Sequence, residues 1–333
     1  MKERILSAII ASLIVFISLP GIILAPTVLA SANEEQISQH QLPAPRGYLA
    51  ALPPAPKVAA PQKLVGADGR ESLGVKITAP RVFVIDQASN ATLYSAKEHD
   101  QVPLASITKL MTARVARSHG LLWDKQVTMS AVVPDGGTAY FANDDVVTVR
   151  DLWKAMLVGS SNTAAATLAK TTGLSADQFV AEMNAMAAGL GMADTHFVEP
   201  TGLDQNNISS AADIATLARV EFQDQEVVAT TAISGFDLVK VKGTTKRVLS
   251  TDKLLGSFIA KAPYKLLGAK TGYITESGYN IVISVTKDGA TPITVVVLGA
   301  ASNDLRFQEA KSVAYWTFQN YRWPAARLTA ATK

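Results

Sequence analysis

The sequence predicts an α/β (α+β) fold: an antiparallel sheet flanked by helices, with an all-helical subdomain inserted between the early and the late strands. Two strand-like runs begin near residue 81, several helical stretches follow, and strand-like runs return near residue 270 before a closing helix. Strands that follow one another through tight turns pair antiparallel, and helices then cover the apolar faces of the sheet. A chain of 333 residues, 48% of them hydrophobic, is long enough for a substantial core.

The N-terminal segment, residues 1–32, is predicted to be a signal peptide or an N-terminal membrane anchor. Two basic residues precede an apolar stretch over residues 5–29, and Ala30-Ser31-Ala32 forms a small-x-small cleavage site. The stretch is long enough to span a bilayer, although Pro20-Gly21 interrupts it. We therefore expect an extracytoplasmic protein, either released and associated with the cell wall or anchored, that contacts the membrane only through this segment.

A proline-rich linker is predicted over residues 33–80. Prolines break helices and favour an extended, polyproline-like chain. Seven of them fall in this stretch: Pro43, Pro45, Pro53, Pro54, Pro56, Pro61 and Pro80. The segment is interpreted as a spacer, with a cell-wall or partner contact as the alternative. The folded domain is expected over residues 81–323, followed by a short tail over residues 324–333.

Turn and capping residues set the expected limits of the elements. A strand over residues 81–86, a turn over 87–90 and a returning strand over 91–95 are followed by a helix from about Ser106 to near Gly120. Further helices are predicted after a capping box of Thr148 and Asp151, over 162–170 and 175–190, and after Ser210. Late strands are predicted over 270–273, 279–286 and 294–298, with Asp288-Gly289 as a hairpin turn, and a last helix over about 305–323.

Composition excludes several classes of function. The net charge is only +3 and no basic run occurs, so a nucleic-acid partner is not expected. The chain has no cysteine, which removes disulfides, thiolate nucleophiles and cysteine–zinc sites and suits an exported protein. Its four histidines form no His-Glu-x-x-His pattern. We therefore predict neither a metal nor another cofactor.

Three short strings in a fixed order carry the chemistry: Ser106-Ile107-Thr108-Lys109, Ser160-Ser161-Asn162 and Lys270-Thr271-Gly272. On a helix, a serine and a lysine three positions apart lie on one face, so the amine can reach the hydroxyl. The lysine can act as a base only if burial or a neighbouring cation keeps its amine neutral. Lys270 is the candidate second cation.

The Ser-x-x-Lys pattern alone is weak evidence, because it occurs three times. Ser284 and Lys287 belong to a predicted strand, where side chains three apart point to opposite faces. Ser250 and Lys253 lie too close to Lys270 to leave room for a Ser-x-Asn string between them. Only the pair at 106 and 109 begins a helix and is followed by both other strings.

The two later strings suggest a proton relay and a carboxylate clamp. A hydroxyl in Ser160-Ser161-Asn162 could pass a proton to a leaving amine, and the amide of Asn162 could hold a substrate carbonyl and orient Lys109. The alternative is a polar helix connection with an N-cap at 161 or 162. Lys270 and Thr271 can bind a carboxylate, and Gly272 allows a close approach of the substrate backbone. The N–H of Tyr273, with that of Ser106, could form an oxyanion hole.

At these strings the chain resembles the serine-type D-alanyl-D-alanine carboxypeptidases, which are low-molecular-weight penicillin-binding proteins of the β-lactamase-like superfamily. The similarity covers roughly residues 80–321 and includes the stretches 103–112, 190–203 and 268–273. It implies a β-lactamase-like sandwich and a transpeptidase-like catalytic domain. The peptidoglycan stem peptide would be the substrate and β-lactams covalent inhibitors.

The resemblance also assigns roles to the residues of the three strings. Ser106 would be the nucleophile and Lys109 the general base. Ser160 and Asn162 would assist proton transfer and substrate binding, and Lys270 with Thr271 would hold the terminal carboxylate.

The chain departs from the family pattern in places. Ser161 stands where glycine is common, and Glu199 where asparagine is frequent. Neither the second β-rich domain nor the C-terminal anchor of many relatives is expected, since only about ten residues follow Trp323.

Three alternative functions are weighed against carboxypeptidase activity. A D,D-endopeptidase that cuts peptidoglycan cross-links would use the same residues. A β-lactamase needs a glutamate that positions water, and the surroundings of Glu199 do not match that pattern. A non-catalytic wall-binding module would not require Lys109 beside Ser106.

Overall fold

The computed structural model describes residues 58–66, 68–130, 139–241 and 243–324. These residues all belong to one compact unit. The predicted export segment, the first part of the predicted linker and all of the tail except Pro324 lie outside the described residues. Over the four described ranges, no helix has both the length and the apolar character needed to cross a membrane.

Short strands and one large sheet make up the β structure. The strands are, in chain order, β1 (Gln62–Lys63), β2 (Arg81–Asp86), β3 (Thr92–Ala96), β4 (Val102–Pro103), β5 (Gln126–Thr128), β6 (Val146–Thr148), β7 (Ile208–Ser209), β8 (Gly235–Val239), β9 (Thr245–Leu249), β10 (Tyr264–Ile274), β11 (Gly278–Lys287), β12 (Ile293–Ala300) and β13 (Tyr321–Arg322). The predicted early and late strands are confirmed as β2, β3, β10, β11 and β12.

Seven α-helices accompany these strands in the described part of the chain. They are α1 (Lys109–Ser118), α2 (Val149–Leu157), α3 (Asn162–Thr171), α4 (Ala176–Gly189), α5 (Ala211–Glu221), α6 (Gln225–Thr231) and α7 (Asn303–Asn320). Side-chain caps explain several starts: Thr148 forms the predicted capping box with Asp151, and Ser210 accepts from the N–H of Asp213. The helices predicted from these signals are confirmed.

The central sheet has five antiparallel strands in the order β10-β11-β12-β2-β3. Strand β2 pairs with β12, with Val84 opposite Val295, so the first and last parts of the folded domain meet at the middle of the sheet. The chain between β3 and β10 forms the mainly helical insertion. This arrangement confirms the predicted fold class.

Successive side chains of the central strands point to opposite faces of the sheet, which divides the core into two layers. On β2, Val82 and Val84 face the core that includes α7, whereas Phe83 and Ile85 face the core shared with helices α1 to α5. Successive side chains of a strand point to opposite faces, so an apolar strand can serve both layers. The sheet is therefore buried on both sides.

The insertion is less purely helical than predicted. Strands β5 and β6 pair antiparallel, as do β8 and β9, and β4 pairs with β7. These pairs are two to five residues long, and so short an alternation gives no usable periodic signal.

The last helix ends earlier than predicted, at Asn320. Tyr321 is extended, and β13 pairs with β1. The pairing partner lies far away in the sequence, so the helical pattern and Pro324 could not reveal it.

The described end of the predicted linker lies against α7. The backbone N–H groups of Thr78 and Ala79 donate to the carboxylate of Glu309 at 2.6 and 3.0 Å. The indole Nε1 of Trp316 donates to Ser72 Oγ at 2.8 Å. The limits of the predicted domains stay a prediction.

Candidate active site

Ser106 lies in a single 3₁₀ turn, Ala105–Thr108, directly before α1. Ala105 has a φ of 50°, a left-handed conformation that is uncommon outside glycine. Gly202 and Gly272 pack against this turn: a Cβ atom at either position would lie within about 3.1 Å of the Ser106 nitrogen. Gly202 in a loop and Gly272 on a strand thus let their backbones pack closely against the turn that carries Ser106.

The first residue of α1, Lys109, is fully buried beneath Ser106. Its Nζ donates to Ser106 Oγ at 2.7 Å, to Asn162 Oδ1 at 2.7 Å and to the carbonyl of Thr201 at 2.6 Å. Three acceptors on separate elements hold the amine at the hydroxyl. The structure therefore brings together the predicted serine, lysine and asparagine.

A loop after α4 supplies the carbonyl of Thr201, and Glu199 organises that loop. The carboxylate of Glu199 accepts from the N–H of Thr201 at 2.6 Å and from the N–H of Gly202. Asn207 Nδ2 also donates to it at 2.7 Å. Glu199, which departs from the pattern expected from the resemblance, thus acts as a cap of the loop.

The second string, residues 160–162, joins α2 to α3. Ser161 is the N-cap of α3, with its Oγ accepting from the N–H of Ala164 at 3.2 Å, so the alternative interpretation as a helix connection is also correct. Ser160 has a φ of 58°, and its Oγ accepts from Lys270 Nζ at 2.8 Å. The backbone turn at 160 therefore presents this hydroxyl to the third string.

The third string lies on β10, where Lys270 and Thr271 are buried. Burial is the main cause that lowers the pKa of Lys270 well below its usual value, and the positive charges of Lys109 and Arg306 lower it further. Thr271 Oγ1 lies 2.7 Å from Thr251 Oγ1. A cation and a hydroxyl thus stand side by side at the wall of the site.

Gly272 and Tyr273 continue the same strand past Ser106. A Cβ atom at Gly272 would lie 2.7 Å from the carbonyl oxygen of Leu104, so only glycine fits without movement. The ring of Tyr273 is half exposed and stacks on Tyr279 with centroids 4.2 Å apart. The backbone of this strand consequently runs beside the N–H of Ser106, where the predicted oxyanion hole would lie.

Sequence reasoning missed two buried polar residues that brace the site. Asn280 Nδ2 donates to the carbonyls of Pro103 and Leu104, both at 3.2 Å. Arg306 Nη1 donates to the carbonyl of Gly272 at 2.9 Å. A lone amide inside the apolar run of β11 was a usable signal for Asn280, whereas nothing local distinguishes Arg306 on α7.

In the other two Ser-x-x-Lys matches, the serine or the lysine contacts a residue outside its own pair. Ser284 lies within β11, where its Oγ accepts from Gln87 Nε2 at 2.8 Å. Lys253 pairs with Asp304 at the surface, at 2.9 Å. The selection of the pair at 106 and 109 stays a prediction, which the contact between Lys109 Nζ and Ser106 Oγ supports.

Comparison with known proteins agrees with this geometry. The profile of the D-alanyl-D-alanine carboxypeptidase family matches residues 67–302. A D-alanyl-D-alanine carboxypeptidase of Salmonella typhimurium, DacD, is 30% identical over 74% of this chain and 64% of its own length. A D-alanyl-D-alanine endopeptidase of Haemophilus influenzae is 32% identical over 70% of this chain and 80% of its own. The chain thus spans less than two thirds of the first of these relatives.

Solved structures share the fold. A point mutant of the Streptomyces K15 DD-transpeptidase superposes with a TM-score of 0.66 and 25% identity, over 74% of this chain and 99% of the other. Penicillin-binding protein D2 from Listeria monocytogenes, in its cefotaxime-bound form, gives a TM-score of 0.64 and 28% identity, over 74% and 100% of the two chains.

Proposed function

Because the chain belongs to the D-alanyl-D-alanine carboxypeptidase family, we propose that it removes the terminal D-alanine from peptidoglycan stem peptides through an acyl-enzyme on Ser106. One observation carries the proposal: the buried amine of Lys109 donates to Ser106 Oγ at 2.7 Å. An activated serine needs a base within hydrogen-bond reach, and the same pair of atoms provides one when the amine of Lys109 is neutral and accepts from the hydroxyl.

Acylation begins with attack of Ser106 Oγ on the carbonyl of the penultimate D-alanine. The hydroxyl proton passes to the neutral amine of Lys109. Negative charge then develops on the carbonyl oxygen, which the N–H groups of Ser106 and Tyr273 stabilise as an oxyanion hole. The close fit of Gly272 against Leu104 supports this role, because it brings the strand beside Ser106.

The leaving D-alanine needs a proton on its nitrogen. The hydroxyl of Ser160, which the hydrogen bond from Lys270 orients, donates its proton to this nitrogen and regains one from protonated Lys109, so that Lys109 returns to its neutral form. The amide oxygen of Asn162 accepts from Lys109, and the amide nitrogen is the candidate donor to a substrate carbonyl. Water then attacks the acyl-enzyme, with Lys109 as the base, and frees the shortened peptide.

The terminal carboxylate of the substrate binds to Lys270 and Thr271. An ammonium group and a hydroxyl form charge-assisted hydrogen bonds with a carboxylate, and burial of Lys270 strengthens its interaction. A β-lactam also presents an acyl group and a carboxylate, so we propose that it acylates Ser106 as a substrate mimic. Peptidoglycan as substrate implies work outside the cytoplasm, and the export role of residues 1–32 stays a prediction.

A labelled penicillin tests the assignment. Incubation should give a stable adduct that peptide mapping locates on Ser106, and the purified protein should release D-alanine from a stem pentapeptide. Ser106→Ala should abolish both, whereas Ser284→Ala, which changes the serine of another Ser-x-x-Lys match, should keep both. Release of D-alanine by Ser106→Ala would refute the nucleophile.

Endopeptidase activity is the second candidate. The Haemophilus relative that bears this name is 32% identical, and a relative from Pseudomonas aeruginosa with the same name is 30% identical. Both reactions break a bond after a D-alanine carbonyl with the same serine. Assays of a monomeric pentapeptide against a cross-linked dimer separate them: faster cleavage of the dimer would favour the endopeptidase.

β-Lactamase activity is less well supported. The carboxylate oxygens of Glu199 accept hydrogen bonds from Thr201, Gly202 and Asn207. These contacts commit the carboxylate to its own loop and not to a hydrolytic water. Slow release of the penicilloyl group is therefore expected.

A further inference from the structure

A buried carboxyl group, Asp252, lies behind the proposed carboxylate clamp and takes no part in the mechanism above. It follows Thr251, whose hydroxyl contacts that of Thr271 on β10. Its Oδ1 accepts from the N–H of Leu254 at 2.8 Å and caps the 3₁₀ turn Lys253–Gly256. Asp252 itself is only 8% exposed. A cap of a surface turn does not require so buried a charge.

The second oxygen of this group, Oδ2, is buried and has no hydrogen-bond partner among the described residues. The Nε of Arg306 is likewise buried without a partner there. An unpaired buried carboxylate oxygen is costly unless nearby positive charge compensates it. The charge of Asp252 thus acts through space, on the cations that surround it.

The cations come from two elements packed around this group. Lys270 on β10 precedes Thr271, whose hydroxyl contacts that of the residue before Asp252. Arg306 lies on α7, which meets this turn at the Lys253–Asp304 pair. The positive charges of Arg306 and Lys270 both favour the ionised form of Asp252. When it is protonated, Lys109 on α1 adds a further positive charge beside Lys270. Lys253, the charged residue that follows Asp252, has its side chain at the surface, where it pairs with Asp304. Asp252 is consequently the anion that opposes the repulsion between Lys270 and Arg306.

We propose that Asp252 is a positioning residue that keeps Lys270 in its charged form, so that Lys270 can bind the substrate carboxylate and donate to Ser160. This inference rests on the proposed function of Lys270. Repulsion by Arg306, and by Lys109 when it is protonated, favours loss of the Lys270 proton, and the carboxylate of Asp252 favours its retention. Burial raises the pKa of Asp252 itself to about 6, so the group is ionised above that pH.

Asp252→Asn removes the charge and keeps the cap, because asparagine is as good an N-cap as aspartate. Without the opposing charge, Lys270 should lose its proton at lower pH. We expect the alkaline limb of the penicillin acylation rate at Ser106 to move to lower pH, with a loss of about tenfold on that limb, since one pKa unit corresponds to a factor of ten. The acidic limb should change less than about twofold.

The matched control is Asp304→Asn, which removes the same charge from an exposed carboxylate near the same turn. It should leave both limbs of the pH profile in place. An Asp252→Asn profile that coincides with that of the unaltered protein would overturn the proposal. A uniform loss at every pH, with an unmoved alkaline limb, would overturn it as well, because it would indicate a purely structural role.

A direct titration separates this inference from the proposed function. The side-chain amines are followed by NMR in protein labelled at lysine, with the Lys270 signal assigned from Lys270→Arg. Asp252→Asn should lower the titration midpoint of Lys270, and an unchanged midpoint would refute the coupling even if Ser106 is acylated. If the unaltered protein forms no adduct and releases no D-alanine, the proposed function fails, while a shifted midpoint still supports the link between the two residues.

Discussion

Gly202 packs directly on the backbone of Ala105, and a Cβ atom at position 202 would lie 3.0 Å from the Ser106 nitrogen and closer still to the Ala105 carbonyl. The loop that supplies the third acceptor of Lys109 is thus in contact with the turn that carries the serine. The φ of Gly202 is 83°, which disfavours any side chain there. We therefore expect this close contact to help keep Ser106 in place beside its proposed base.

Gly202→Ala should impair acylation more than it impairs folding. The methyl group would displace the turn at 105–106, and a shift of about 1 Å can cost about 100-fold in rate. Gly173→Ala is the matched control: Gly173 has the same φ of 83°, but nothing lies within 4 Å of its Cβ position. Penicillin acylation rates and thermal melts of the two variants isolate the effect of the contact. Equal rates in both would show that the contact with Ala105 does not matter.

Lys109→Met should reduce acylation by about 100- to 10,000-fold, the usual contribution of a general base. Methionine fills the buried space but cannot accept the proton of Ser106. The second-order rate with a labelled penicillin measures the loss. Lys170→Met, at an exposed lysine near the end of α3, is the control and should react like the unaltered protein. Retention of more than a tenth of the rate in Lys109→Met would argue for a different base.

Glu199→Gln should destabilise the loop that follows α4. The carboxylate accepts from two backbone N–H groups and from Asn207, whereas an amide would turn a donor toward one of them. A buried hydrogen bond left unmade costs about 1–3 kcal/mol. Urea denaturation measures the change in unfolding free energy, and the exposed Glu276→Gln should leave it unaltered. No difference between the two variants would contradict the capping role of Glu199.

The unfolding free energy should fall as the pH rises through neutrality, because of Glu221. Burial raises its pKa to about 7 from 4.5, and the pairing with Arg114 only partly offsets this. The folded state therefore binds more protons between these values, and the stabilisation present below about pH 4.5 is lost as the pH rises through about 7. The upper bound is about 3.5 kcal/mol, at about 1.4 kcal/mol for each pKa unit.

Glu221→Gln should flatten this pH dependence. The pKa of Asp252 is also raised, to about 6, so its titration lowers the unfolding free energy over part of the same pH range. Some pH dependence should therefore remain in Glu221→Gln, and the test is whether it is smaller than in a control variant. Urea denaturation at pH 5 and pH 8 should show a smaller difference for Glu221→Gln than for Glu276→Gln. The same difference in both would show that Glu221 is not the titrating group.

Local signals were sufficient for most of the fold and for the predicted site residues. The capping residues before α2 and α5, the alternation in β2 and the Asp288-Gly289 turn all act over a few residues, so the chain itself displays them. A local signal also selected one of the three Ser-x-x-Lys matches, because only Ser106 begins a predicted helix. Each of these inferences depends on neighbours in the sequence.

The amino-acid sequence alone determined the class of fold, the order along the chain of the five strands of the central sheet and the candidate nucleophile, base and clamp. Only the tertiary structure decided what holds them: the cap that Glu199 places on its loop, Asn280 and Arg306 beneath the turn and the strand, and the buried charge of Asp252. The physical reason is separation along the chain. Asn280 meets Leu104 across 176 positions, and such contacts arise from the packing of the sheet against the insertion and have no local pattern to reveal them.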